Sequence, residues 1–367
     1  MVMAFDFKKH LSFVKAKQAP IAKDRNVVGI DIGSSSIKVV QLKFTGKTAT
    51  LVTYGELQLG PYTGSDLGQI TALSEQKLTQ SLVDVVRESS VTSKAGVLAI
   101  PYTSSFMTII NVVTALKEEV GPRVPVEARK YIPVPLKEVT LDWFLIGSAE
   151  TETEVEHSVL LAALHNDSLT RFNHIITGAS MVEVASEIEV FSTIRAAMVP
   201  GDSLVAVVDL GAAGTRVYII ADGVVRQLHS IKTGGASLTE MLAKERNNSF
   251  AEAELIKREY GLTLPEGVSV SQSEFATEVN RIGTEINHVL KRYERLNQVA
   301  VPKVILTGGN ANLNGLVDQF RGMFGCEVVA ADPFAKVAYP SFMEDILKQV
   351  GPSFTVAIGV ALREINN

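Results

Sequence analysis

The chain has 367 residues, about 46% of them hydrophobic and 20% charged, which is enough to build about two to four compact units and excludes a single small domain. No uninterrupted run of eighteen or more apolar residues is long enough to span a bilayer as a helix. A formal net charge of −5 argues against a general nucleic-acid binder, whose phosphate-neutralising face would have to be basic.

At the start, Phe5, Phe7, Leu11 and Val14 are interleaved with lysines and predict a short amphipathic helix ahead of a linker, together residues 1–26. A docked or frayed terminus and a membrane-surface contact both fit this pattern. No apolar core followed by a small-residue cleavage site marks a secretion signal. The single Cys326 lacks a disulfide partner and has no zinc-ligand spacing around it, which suits a reducing cytoplasm.

From Val27, VVGIDIGSSSIKVVQLK reads as two β-branched strands around a Gly-Ser-Ser-Ser turn, and TATLVTYGELQL as a third strand. The segment 67–90 carries apolar residues three and four apart and predicts a helix, followed by the buried strand GVLAIP; these elements make a first lobe over 27–102. Residues 103–181 change character. Short strands surround one helical stretch that stops at Pro133 and Pro135, as expected of an inserted α+β subdomain. A helix is then expected over 182–200 and a second hairpin, SLVAVVDLGAAGTRVYIIADG, in 201–238. A largely helical region over 239–300, a βα unit over 301–350 and a closing helix over 351–367 complete the chain.

The two hairpins match position by position. Asp31, Gly33, Ser34, Ser35, Ser36 and Lys38 stand against Asp209, Gly211, Ala212, Ala213, Gly214 and Arg216, with Thr215 just before the basic residue. Such a repeat implies two related half domains, each offering an acidic strand end and a small-residue turn to one cleft. A triphosphate needs backbone N–H groups at close range, so the turns must be small. Magnesium on a phosphate keeps much of its water shell, so Asp31 and Asp209 on opposite walls suffice to hold it through waters. Lys38 supplies a point charge. Further on, Gly308, Gly309 and Asn310 follow an apolar strand and are expected to open a helix, where a nucleoside can lie close to the chain and the helix N-terminus favours anions. Two ordinary hairpins with an exposed Lys and Arg would share this string; the repetition favours the phosphate clamp.

The strings VVGIDIGSSSIKVV, VVDLGAAGTRVYII and VILTGGNANLNGL resemble, in order, the first phosphate, second phosphate and adenosine motifs of the superfamily of actin, heat-shock chaperones and sugar kinases. That resemblance implies an α/β fold of two lobes, each with ribonuclease-H-like subdomains, around a cleft for ATP or ADP with Mg2+. It places EVASEIEVFSTIRAA and SFTVAIGVALREI where two connecting helices belong, and puts Glu254, Lys257 and Arg258 of EAELIKREYG against ribose and base; a solvated helix face with local charge pairs is the alternative. The inserted segment, with KTGGASLTEMLA and its Gly234 and Gly235, is similar to the PilM family of type IV pilus assembly proteins, and this likeness covers nearly all of Val27 to Glu364. It implies a cytoplasmic scaffold serving pilus biogenesis and twitching motility, held at the inner face of the inner membrane only through partners: the cytoplasmic N-terminal peptide of PilN and other platform proteins.

Val126, Tyr131, Ile132 and Val134 form an apolar edge that would take an extended peptide, or equally the insert's own core. Glu189, near the start of the first connecting helix, would orient a hydrolytic water or simply line the cleft, so the chain is at most a weak ATPase. His157, His165 and His174 are expected on the insert's surface and take no role. FtsA, the cell-division relative with the same insertion, carries a membrane-targeting helix after its second connecting helix. This chain stops at Asn367, which disfavours direct anchoring. A nucleotide-dependent filament with self-association is the alternative function, and a metabolic kinase comes last because there is no room for a sugar pocket.

Overall fold

In a computed structural model, residues 24–115, 117–150, 154–263 and 274–363 are described. The amphipathic stretch with Phe5, Phe7, Leu11 and Val14 lies outside them.

Two five-stranded sheets repeat one topology. The first runs in the order β3 (Thr48–Gln58), β2 (Ser36–Thr45), β1 (Asp24–Ile32), β4 (Ala95–Ile100), β8 (Val182–Ile188); the second runs β11 (Val224–Ile231), β10 (Thr215–Ala221), β9 (Leu204–Leu210), β12 (Lys303–Thr307), β13 (Glu327–Ala330). In each, three antiparallel strands are extended by two parallel ones. The predicted sequence repeat is therefore a structural repeat. Its central strands carry near-continuous apolar runs because both faces are covered.

On the first sheet, α1 (Glu75–Glu88) and α3 (Asn166–Gly178) cover one face, and α9 (Glu344–Leu362) covers the other. The α1 helix starts at its Ser74 cap, later than predicted, because 65–74 forms a loop that reaches the cleft. On the second sheet, α5 (Gly235–Arg246), α7 (Glu274–Asn297) and α8 (Leu316–Phe324) cover one face. Beside α5 lies α6 (Phe250–Tyr260), opened by a reciprocal capping box between Ser249 and Glu252.

Two of the expected helices also need correction. The helix predicted over 182–200 is strand β8 followed by α4 (Glu189–Ala197): VEVASEI is short, is buried from Ala185 to Ile188, and completes the first sheet beside β4. The closing helix begins before residue 351 and runs through Pro352, whose carbonyl accepts from Gly308 N (2.9 Å) and Thr307 Oγ1 (3.0 Å). Packing of α9 on both lobes holds the proline in a helix that its missing N–H would otherwise interrupt.

Helices α4 and α9 cross at close range. A Cβ on Gly359 would stand 1.9 Å from Ser192 O, and one on Gly29 would stand 2.0 Å from Ala357 O, so both positions must be small. Beside this crossing, buried Glu187 accepts from Ser192 Oγ at 2.6 Å and from Arg195, and Arg195 Nη1 donates to Gly359 O at 2.9 Å.

The insert is a three-stranded antiparallel sheet, β5 (Ser105–Thr114), β7 (Val155–His165), β6 (Val139–Glu150), with α2 (Val120–Ala128) on one face. Alternation along β7 explains its two faces: Val159, Leu161 and Ala163 pack with α2, while Leu160, Ala162 and Leu164 join the main core. The insert also reaches the second lobe, where Arg226 Nη1 donates to Ile146 O at 3.2 Å. His157 is buried rather than on the surface, with Ser148 Oγ 2.8 Å from Nδ1, because its β7 position faces inward; His174 is exposed beside Glu75.

Candidate functional site

Strands β1 and β9 end side by side at a cavity of about 1500 Å³ lined by both lobes. Asp31 and Asp209 are the acidic ends of these strands, and the turns after them are closed by the same bond: Gly33 N donates to Ser36 O at 2.9 Å, and Gly211 N donates to Gly214 O at 3.0 Å. That bond leaves the middle amides of each turn outside it. Among the described residues, the N–H groups of Ser34, Ser35, Ala212 and Ala213 donate to nothing, and all four residues line the cavity. Unsatisfied amides facing an open cavity form an anion-binding concavity.

Thr215 and Gly234 stand behind this lining. Thr215 Oγ1 donates to Thr233 O at 2.9 Å, and a Cβ on Gly234 would lie 2.4 Å from both Ala212 O and Gly214 N, so these residues shape the second turn without facing the cavity. Gly235 opens α5 with its N–H on Gly211 O (2.9 Å). The Gly308–Gly309 turn does not open an α-helix as expected: it enters a single 3-10 turn, and α8 begins only at Leu316. Asn310 instead ties this turn to the second phosphate turn, its Nδ2 donating to Leu210 O (3.1 Å) and Gly211 O (3.0 Å). At φ +85°, Gly308 sits where a Cβ would come within 2.5 Å of Asp209 Oδ1.

The charges on the cavity floor are paired unequally. Lys38 Nζ donates to Ser36 Oγ at 2.7 Å and lies 3.3 Å from Glu56. Burial works to lower its pKa, but Glu56 and Asp31 outweigh burial and raise it. Asp31 accepts no side-chain hydrogen bond among the described residues; burial pushes it up to about 6, against the pull of Lys38 and with the push of Asp209. Arg216 was not among the sequence-derived site residues. Its Nη1 lies 3.1 Å from Asp209 Oδ2 and 3.4 Å from Glu189 Oε1. Glu189, first residue of α4, also accepts from Tyr102 N at 2.8 Å; burial raises it to about 7, eased by Arg216 and reinforced by Asp209 and Asp31. The signal that could have found Arg216 is the repeat itself, in which it occupies the Lys38 position.

The cavity wall on α6 is built from Glu254, Lys257 and Arg258. Lys257 is buried, with Nζ 2.7 Å from Glu254 Oε2 and donating to Gly235 O (3.0 Å) and Thr239 Oγ1 (2.8 Å). Burial lowers its pKa, partly offset by Glu254. Arg258 is half-exposed and holds the other Glu254 oxygen at 2.7 Å. Lys257 thus braces α6 against α5, and Arg258 is the freer cation.

Outside the cavity lining, the four apolar residues of the insert do not act together. Val126 (57% exposed) and Tyr131 (43%) face solvent, whereas Ile132 is buried in the insert's core and Val134 packs against it. As a peptide-facing group, Ile132 is corrected to a core residue.

A divalent cation would find Asp31 open and Asp209 occupied. No cluster of three or more His, Cys, Asp or Glu able to hold a metal occurs among the described residues, so a cation here would depend on phosphate oxygens, water and Asp31. No helix among them is long and apolar enough to cross a membrane.

A family model described as type IV pilus assembly protein PilM matches residues 29–365. Cell division protein FtsA of Enterococcus hirae is 22% identical over 364 residues, covering 84% of this chain and 78% of that protein. Among solved structures, a chain of a PilM–PilN type IV pilus biogenesis complex superposes with a TM-score of 0.77 at 23% identity, covering 94% of this chain and 99% of its own. MreB5 of Spiroplasma citri bound to ADP gives 0.50 at 12% identity, covering 91% and 94%. With the duplicated sheets, these likenesses establish the two-lobed actin-like ATPase fold.

Proposed function

The chain belongs to the family of type IV pilus assembly proteins PilM, and from that premise we propose that it is a cytoplasmic nucleotide-responsive scaffold of the pilus assembly platform. It binds ATP or ADP between its lobes and the N-terminal cytoplasmic peptide of PilN on its insert, which brings it to the inner membrane through that partner. One observation carries the nucleotide half: two equivalent turns whose four middle amides have no partner among the described residues line one cavity with Lys38 and Arg216. Ser34, Ser35, Ala212 and Ala213 receive the phosphates, while Gly308, Gly309 and Asn310 take the nucleoside alongside Arg258. Magnesium, where present, rides on the phosphates beside Asp31.

Glu189 is held by Arg216 and by Tyr102 N, which leaves it poorly placed to orient a water and supports binding over turnover. The partner half rests on the family and on the solved complex with PilN; Val126 and Tyr131 are the accessible apolar residues for it. Likeness to FtsA favours a second reading, a nucleotide-dependent filament.

Calorimetric titration with ATP and with a synthetic PilN N-terminal peptide, in both orders, tests the proposal. Binding of both with mutual influence on affinity is expected. ATP binding without peptide binding, joined by ATP-dependent light scattering, would transfer the assignment to the filament.

A further inference from the structure

The two halves of the cavity differ in what opposes their cations. In the first repeat Lys38 is in register with Asp31 on one side and with Glu56 on the other. In the second, Arg216 is in register with Asp209 and, on the outer strand, with Ser230. Glu56 draws Lys38 outward, so that Nζ binds Glu56 and Ser36 and leaves Asp31 without a side-chain hydrogen bond among the described residues. Ser230 is an exposed neutral residue, and Arg216 turns inward instead, onto Asp209 and Glu189.

That turn fills the second carboxylate. Asp209 Oδ2 is taken by Arg216, and Oδ1 faces the backbone of the Gly308 turn, where even a Cβ would be only 2.5 Å away. Little of Asp209 remains for the water shell of an ion. The guanidinium lines the same cavity as the four free amides, carries a charge that cannot be discharged, and presents donors in a planar fork suited to phosphate.

Resting on the nucleotide reading above, we propose that Arg216 is a tethered cation that neutralises this wall in place of a divalent ion, so that the cleft retains ATP with little dependence on magnesium. The phosphates lie between Lys38 and Arg216. Magnesium adds only what Asp31 can hold through water.

The test is calorimetric titration of the full chain with ATP in millimolar magnesium and again in excess EDTA, for the wild type, Arg216→Met and Arg216→Lys. The wild type should lose no more than about tenfold in affinity on removal of magnesium, whereas Arg216→Met should lose at least about thirtyfold in EDTA, the effect of truncating one partner of a buried charge pair. Arg216→Lys should recover much of that loss. Thermal melting checks that each variant folds; if Arg216→Met does not, the wild type and Arg216→Lys decide. A wild-type loss above about a hundredfold on magnesium removal, or an Arg216→Met protein that binds in EDTA like wild type, overturns the proposal while leaving the nucleotide reading standing. No ATP binding by wild type in either buffer overturns both.

Discussion

Gly68, in the loop between β3 and α1, lies against Glu254 of α6, so close that a Cβ on it would stand 2.9 Å from the glutamate carboxyl carbon. This contact joins the first lobe to the second across the cavity mouth. At φ +85°, Gly68→Val adds backbone strain of about 1–3 kcal/mol as well as the collision. The variant should melt earlier and show a smaller rise in melting temperature with ATP than wild type. An unchanged ATP-dependent rise would mean that the mouth contact has no part in retaining ligand.

Asp31 makes stability depend on pH with a definite sign. Its folded pKa of about 6 lies above the ordinary value of 3.8, so between these pH values the folded state binds more protons than the unfolded state. Stability therefore falls as pH rises through that window, by up to about 3 kcal/mol, and Glu189, raised to about 7, extends the fall toward neutrality. Asp31→Asn should flatten the fall and be more stable than wild type at pH about 7.5, while binding magnesium-ATP less well. Urea unfolding across the pH range measures the slope; an Asn variant as pH-sensitive as wild type refutes the assignment.

Glu187 carries the charge at the crossing of α4 and α9, with Arg195 donating to it and Arg363 Nε 3.6 Å from Oε2. Glu187→Ala would leave the Arg195 guanidinium buried beside no acid and should cost about 3–5 kcal/mol. Equilibrium denaturation is the direct measurement, and a loss below about 1 kcal/mol would mean that Arg195 is well hydrated there.

Lys257→Ala should read as a packing defect before it reads as a ligand defect. The ammonium joins Glu254, Thr239 and the first carbonyl of α5, and its removal should cost about 2–3 kcal/mol of stability. Arg258→Ala, at a half-exposed position, should leave stability nearly unchanged while weakening ATP binding. Denaturation paired with calorimetry separates the two, and equal behaviour of both variants would contradict this division.

The duplicated hairpins were legible in the sequence because close backbone approach admits only small residues, and that restriction survives in the letters of Gly33 to Ser36 and Gly211 to Gly214. The strand β8 was not legible: VEVASEI places Val182, Val184, Ala185 and Ile188 at spacings compatible with either period, and only its partner β4 decides between them. Pro352 concealed the length of α9 for a related reason, since the packing that holds it, marked by the bonds its carbonyl accepts from Thr307 and Gly308, involves residues distant in sequence. Arg216 looked like an exposed strand cation. Its inward turn depends on Ser230 standing where the other half has Glu56, a comparison that requires the register of β10 with β11.

Each half of this chain supplies one turn, one acid and one cation, and so only one wall of the cavity. A protein of half the length would possess a complete cleft only by pairing with its own copy. Joining the halves in one polypeptide fixes their stoichiometry and leaves each wall free to change separately. The contrast of Glu56 with Ser230 is a difference that a symmetric pair of identical chains cannot have, and it gives the cavity a fixed polarity for an asymmetric ligand.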